Sequence, residues 1–297
     1  MTRARKGEPI RIDGATGSEC LRRGVTMLDD GWAGGAVLEA PDLVRAVHAD
    51  YIALGADLIA SNTFATGRNV LRDTGHADEF ERVNRRAVEL AIEARADAGA
   101  DDVVVAGGVS NWSFSGNRPS LEDLSEGTVR QAEIMRDAGV DLISLEMMVD
   151  LPRMTATLDA VSTVGLPIWV GLTIGPEAGV HPIELDDPIQ LREGGTLREA
   201  TELSATYPLV DAMCLMHSDV TVTAAGLAAI AEVWDGPLGA YAHASHYVDG
   251  EVCFDDGATP AEFAAFHDDW VAAGATMLGG CCGIGPAHVG ALYEVMG

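Results

Sequence analysis

Ala138-Gly139-Val140-Asp141-Leu142-Ile143-Ser144-Leu145-Glu146 is the stretch that decides the fold. A helical pattern closes on a glycine, which supplies the left-handed residue just past a helix end; an apolar β-type run starts at once, and an acid terminates it. The same hinge recurs in Leu54-Gly55-Ala56-Asp57 and Ala273-Gly274-Ala275-Thr276. Working outward, eight β-type runs can be read: Pro9–Asp13, Ala56–Asn62, Asp102–Ser110, Val140–Met147, Pro167–Thr173, Leu209–Met216, Pro237–His243 and Ala275–Gly280. Helical patterns occupy Pro41–Leu54, Asp78–Ala98, Glu126–Ala138, Leu151–Val164, Leu197–Ala205, Val222–Val233, Pro260–Ala273 and Pro286–Met296. In the first of these, Leu43, Val44, Val47, Tyr51 and Ile52 form one stripe, and Pro41 stands in the first turn where its missing N–H costs nothing. Repeated βα units joined by right-handed crossovers predict the α/β class and a single (β/α)8 TIM barrel spanning residues 1–297. A doubly wound open sheet would want a phosphate loop after its first strand, and Asp13-Gly14-Ala15-Thr16-Gly17-Ser18 lacks the G-x-G-x-x-G spacing.

The 297 residues are 47% hydrophobic and 22% charged, enough apolar material for one large packed domain. Nineteen basic residues stand against 46 acidic ones, a net charge of −27, and Lys6 is the sole lysine. Such a surface repels phosphate backbones and anionic headgroups, so neither nucleic acid nor membrane is an expected partner. No apolar run is long enough for a bilayer, and the basic start Met1–Lys6 leads into Gly7-Glu8-Pro9 rather than a signal-peptide core, so a cytoplasmic protein is expected. Five cysteines, two of them adjacent, do not make a disulfide framework and point to thiol or metal chemistry.

A barrel of this kind carries its chemistry at the C-terminal strand ends. Those ends read Asp13-Gly14, Asn62-Thr63, Asn111, Glu146, Thr173, His217, His243 and Gly280-Cys281-Cys282. Gly279-Gly280-Cys281-Cys282-Gly283 is the sharpest signal: both thiolates can reach one metal only if the backbone leaves the pleat, and the flanking glycines permit that turn. Two small buried cysteines at a strand end are the plain alternative. The pair needs a further ligand, which the sixth run offers as Cys214 or His217. Three apart on a pleated strand, these two face opposite sides, and Cys214 reads better as a barrel-wall residue. His243 and His246 are further candidates for a metal, base or substrate contact, although loop histidines are more often solvated. The stretch from Gly175 through His181 to Gly195 is long for a βα loop and can cover the site. Cys20 and Cys253 have no partner by spacing.

Asp13-Gly14-Ala15-Thr16-Gly17-Ser18-Glu19, the run Gly55 to Phe64, the run Gly139 to Glu146, and Gly279 to Pro286 together resemble the zinc-dependent homocysteine S-methyltransferases, from about residue 9 to the C-terminus. The resemblance implies a (β/α)8 barrel whose Zn2+ is held by three cysteines, two of them corresponding to Cys281 and Cys282. The third family cysteine, closing a Gly-x-Asn-Cys element, falls on His217, while Cys214 takes the glycine position and Met216 the asparagine. The implied ligand set is therefore His217, Cys281 and Cys282. Imidazole is an ordinary zinc ligand, and with a substrate thiolate the centre would carry a formal charge of about −1 in place of about −2. Strand seven also departs, with Tyr241-Ala242-His243 where the family tends to have Tyr-Pro-Asn.

The resemblance further implies that Asp13 and Glu146 hold the ammonium of homocysteine, a role that suits carboxylates. Gly14, Asn62 and Thr63 complete the candidate substrate contacts, though a short polar pair such as Asn62-Thr63 also caps helices. The implied partners are a small-molecule thiol and a methyl donor, the product being methionine. A cationic sulfonium donor, S-methylmethionine or S-adenosylmethionine, fits an acidic mouth, whereas 5% aromatic residues offer no evident cage for a betaine. Two alternatives stay open: the same zinc barrel acting on another thiol or small molecule, and a non-catalytic metal- or ligand-binding homologue.

Overall fold

A computed structural model describes residues 2–26, 33–176, 182–244, 246–248, 251–253 and 257–297, with backbone alone for residues 2, 246–248 and 251–253. Its strands are β1 (Ile10–Arg11), β2 (Leu58–Ala60), β3 (Val104–Ser110), β4 (Leu142–Met148), β5 (Ile168–Leu172), β6 (Val210–Asp219), β7 (Leu238–His243), β8 (His246–Val248), β9 (Glu251–Cys253) and β10 (Met277–Gly280). All but β8 and β9 form one parallel eight-stranded sheet in the order β1-β10-β7-β6-β5-β4-β3-β2. A parallel bridge between Ile12 and Leu58, with Asp13 N donating to Leu58 O at 3.0 Å, joins the two edge strands. The result is the (β/α)8 TIM barrel that the alternation predicts. Strands β8 and β9 pair as a separate antiparallel hairpin.

Period-two alternation sorts the side chains into two cores. Ile12, Leu58, Ala106, Leu142, Trp169, Ala212, Cys214 and Met277 fill the barrel interior, where Ala4 of the short helix Thr2–Arg5 joins them. The intervening residues, among them Ile59, Val105, Ile143, Val170, Leu215 and Leu278, face the surrounding helices. Burying such a side chain contributes about 1.5–3 kcal/mol.

The expected glycine hinges are seen: Gly55, Gly139 and Gly274 have φ of 100°, 105° and 101°. Each brings the next strand in immediately after its helix. The helix expected from Glu126 starts five residues earlier, at Leu121, because Ser120 accepts from Asp123 N and acids occupy the first turn. The pattern over 260–273 divides into Pro260–Ala265 and His267–Ala272. Helix Thr16–Arg22, directly after β1, has no counterpart among the predicted elements. Among the described residues no helix is long and apolar enough to cross a membrane.

Candidate metal centre and barrel mouth

Strand β10 ends at Gly280, so Cys281 and Cys282 lie in a turn beyond the sheet, as the two-thiol argument requires. Cys281 N donates to Ala242 O at 2.8 Å, and Ile284 N closes the turn onto Cys281 O at 3.0 Å. The surrounding glycines do different jobs. Only Gly283 takes a left-handed conformation, φ 83°. A Cβ on Gly279 would lie 2.6 Å from Asp13 O, and one on Gly280 would lie 2.1 Å from Ile284 Cγ2, so these two permit close packing. Gly14 is equally constrained, 2.4 Å from Ile284 O for a Cβ.

The segment after β1 supports this turn from below. Ser18 Oγ accepts from Gly283 N at 3.2 Å, and Arg22, paired with Glu19, reaches Gly283 O. Tyr51 Oη donates to Ala15 O at 3.0 Å.

His217 enters from β6. Cys281 Sγ lies 3.4 Å from His217 Nδ1 and 3.8 Å from Cys282 Sγ, and the three potential ligand atoms are all within 4.8 Å of one another. Buried His217 and Cys281 and the half-buried Cys282 form a triad able to hold a metal ion. Burial, His243 and Arg192 all push the His217 pKa well below the usual imidazole range, leaving the ring neutral with a lone pair to offer. The Cys282 thiol and burial hold Cys281 protonated in the metal-free protein.

The pleat argument that set Cys214 and His217 on opposite faces does not survive. Cys214 and Met216 both line a barrel-interior cavity of about 20 Å³, room for one water, so residue 217 on an unbroken strand would point outward. Pairing with β7 instead jumps from Met216↔Tyr241 to Asp219↔His243, and His217 takes φ 47°. This left-handed step brings the imidazole back to the mouth, at a cost of roughly 1–2 kcal/mol for a residue with a Cβ. Cys214 stays in the wall below, its thiol pushed up to about 12 by burial.

Beside the triad sit two buried carboxyls. Asp13 Oδ1 accepts from Tyr241 Oη at 2.6 Å and Oδ2 from Ala60 N at 2.8 Å, yet burial still lifts its pKa to about 7. Glu146 is likewise pushed well above the usual carboxylate range, first by burial and then by Cys281 and Asp13. Its carboxyl stands against Gly108, where a Cβ would come within 2.6 Å of Oε1.

Asn62 donates to Ala33 O at 3.0 Å, and Thr63 pairs with Ser61 Oγ at 3.1 Å while its carbonyl accepts from Gln131. Their described hydrogen bonds therefore run into the wall and not to the triad. Asn111 donates to Met148 Sδ at 3.6 Å, and Thr173 Oγ1 to Met216 O at 2.8 Å. His243 is fully buried, its ring centroid 4.6 Å from that of His217, and burial lowers its pKa to about 4. The side chains of His246 and Cys253, and residues 177–181 with His181, lie outside the described residues. Sequence reasoning missed Tyr241 as the partner of Asp13, and it missed Arg192, whose guanidinium reaches the His217 carbonyl at 2.9 Å. Tyr241 matched the first residue of the family's Tyr-Pro-Asn element, but nothing in that match named Asp13 as its partner, and Arg192 carried no motif signal.

Comparison with known proteins agrees with this architecture. Residues 11–296 match the family model described as homocysteine S-methyltransferase. A homocysteine S-methyltransferase of Escherichia coli strain K12 is 28% identical, the match covering 97% of this chain and 95% of the relative. A selenocysteine methyltransferase of Astragalus bisulcatus is 26% identical over 98% of this chain and 93% of its own length. Among solved structures, the metallated form of the Escherichia coli homocysteine methyltransferase MmuM superposes with a TM-score of 0.80 at 24% identity, covering 97% of this chain and 96% of that one, and shares the fold. The chain is an enzyme of the homocysteine S-methyltransferase family.

Proposed function

We propose that this enzyme transfers a methyl group from a sulfonium donor, S-methylmethionine or S-adenosylmethionine, to the thiol of homocysteine, giving methionine. The observation that carries the reading is the His217, Cys281 and Cys282 triad set beside two buried carboxyls, both raised in pKa by burial, in one barrel mouth.

The donor set suits Zn2+. With Zn–S of about 2.3 Å and Zn–N of about 2.0–2.1 Å, a tetrahedral ion needs S···S edges of about 3.8 Å and S···N edges of about 3.6 Å. The separations of 3.8 Å and 3.4 Å at Cys281 come close to two of those edges, and the third, between Cys282 and His217, is within 4.8 Å. When bound, the ion would ionise an incoming thiol at neutral pH, where a free thiol of pKa ~8.5 is mostly protonated. His217, Cys281 and Cys282 would hold it and, as three ligands, leave a corner for the substrate sulfur.

The rest falls to the protein. Asp13 and Glu146 receive the substrate ammonium, whose charge draws both buried carboxyls back to their ionised forms. Tyr241 keeps Asp13 aimed into the mouth through its 2.6 Å hydrogen bond. The buried walls exclude water from the sulfur, and alignment of sulfur and methyl can supply on the order of 7–11 kcal/mol. The acceptor sulfur forms the new S–CH3 bond, the donor S–CH3 bond breaks to leave a neutral thioether, and the thiol proton passes to solvent. The net charge of −27 favours a cationic donor over an anionic one.

A second reading keeps site and donor and changes the acceptor to selenocysteine, favoured by the similarity to the Astragalus bisulcatus enzyme. Zinc-loaded protein given homocysteine or selenocysteine with each labelled sulfonium tests both. Label in methionine supports the first, label in methylselenocysteine alone supports the second, and no transfer with any pair refutes the proposal.

A further inference from the structure

His217 is aimed at the cysteines by backbone that its own sheet does not hold. The register on β7 passes from Met216 to Asp219, so His217 and Ser218 have no Cα partner there. Pairing on the other side, with β5, ends at Leu215↔Leu172. What fills the gap is the chain beyond β5: Thr173 Oγ1 bonds Met216 O, Ile174 N donates to Ser218 Oγ at 3.0 Å, and Arg192 Nη2 donates to His217 O at 2.9 Å.

Arg192 is itself fixed. Its backbone N donates to Thr173 O at 3.0 Å, its Nε to Gly175 O at 3.0 Å, and Nη2 also to Pro176 O at 3.0 Å. Next in the chain, Glu193 N bonds Val149 O at 2.9 Å, and the Glu193 carboxylate pairs with Arg118. One planar guanidinium thus ties three carbonyls, two from the segment that follows β5 and one from the left-handed residue of β6.

We propose that Arg192 is a positioning residue of the metal centre: by gripping the His217 carbonyl it maintains the left-handed backbone that points the imidazole at Cys281 and Cys282. Released from that grip, a residue with a Cβ relaxes toward extended φ, and the pleat then turns the imidazole away from the mouth. The guanidinium's permanent positive charge also favours the anionic form of Cys281, in which it would ligate. Lysine can substitute only in part, because a single ammonium on a flexible stem cannot reproduce the fork.

The inference rests on the metal-site reading above, and the test separates the two. Zn2+ affinity is measured by chelator competition, and Co2+ is titrated into metal-free protein to read its thiolate charge-transfer and d–d bands, for wild type, Arg192→Met, Arg192→Lys and Glu193→Gln. Arg192→Met is expected to bind Zn2+ about 10–100-fold more weakly and to show altered Co2+ bands. Arg192→Lys should fall between it and wild type, and Glu193→Gln, which frees Arg118 but leaves the fork, should match wild type. If wild type binds neither ion, the metal site itself is refuted. If wild type binds and Arg192→Met matches it in affinity and bands, or Glu193→Gln loses as much, the positioning role is overturned. Should Arg192→Met fail to fold, Arg192→Lys decides, and wild-type affinity with wild-type bands in that variant overturns the role.

Discussion

At the end of β4, Met147 has φ 58° and pairing with β5 jumps from Leu145 to Met148; at the end of β6, His217 has φ 47° and pairing with β7 jumps from Met216 to Asp219. In β4 the candidate site residue is the one before the step. Glu146 follows Leu142 and Ser144 on the interior face by simple alternation, and the left-handed Met147 then carries the chain away, toward Asp150 as cap of the next helix. In β6 the candidate ligand is the step itself. Alternation places Cys214 and Met216 inside, and only the left-handed turn adds His217 to them. A carboxyl aimed by the pleat needs only room, which Gly108 provides. An imidazole aimed against the pleat needs a brace from a neighbouring segment, which is where Arg192 stands.

Breaking the β6 side should have the largest effect. His217→Ala is expected to lose its metal and to lower turnover beyond the ~10–100-fold that loss of a supporting hydrogen bond costs, whereas His217→Cys should keep the metal. Metal analysis of dialysed protein beside turnover checks both. On the β4 side, Glu146→Gln should leave metal content unchanged and weaken methionine binding by about 1.5–3 kcal/mol, the worth of a hydrogen bond to a charged group. Gly108→Ala, which drives a Cβ into the same carboxyl, should weaken it comparably, and calorimetry with L-methionine reads both variants.

A third comparison is one of pH, with methionine as a probe that carries an ammonium but no thiol. Burial raises Asp13 to about 7, so in the empty site it is protonated below that pH and must ionise to meet the ammonium. Affinity should therefore rise with pH below 7, by up to about tenfold per unit for each carboxyl that must ionise, and Asp13→Asn should make that limb shallower by one such factor. Glu146, also raised by burial, adds to the rise, and Glu146→Gln should likewise make it shallower. A pH-independent affinity in wild type would remove both carboxyls from the ammonium site. The smallest effect is expected at Cys214→Ala: about 1 kcal/mol of stability by thermal unfolding, with metal content unchanged.

The barrel was legible because its signals are local. Helix periodicity, the hinges at Gly55, Gly139 and Gly274, and eight apolar runs each state one βα unit, and closure follows from their number. The cysteine pair was legible because adjacent thiols between glycines have few other uses. His217 came from alignment with a family pattern, while the pleat argument placed Cys214 and His217 on opposite faces, since a one-residue step in register leaves no mark in composition. Tyr241 and Arg192 were out of reach for a different reason: their partners lie 228 and 25 residues away, and only the closed barrel brings them together.

X-ray absorption at the zinc edge, on protein purified under reducing, metal-replete conditions, tests the central claim most directly. The account predicts about one zinc per chain, with two sulfur neighbours near ~2.3 Å and one imidazole nitrogen near ~2.0–2.1 Å, and a third sulfur appearing when homocysteine is added. Three protein sulfurs before substrate would put Cys214 or another thiol in place of His217, and a chain without zinc would leave the barrel standing and its chemistry unexplained.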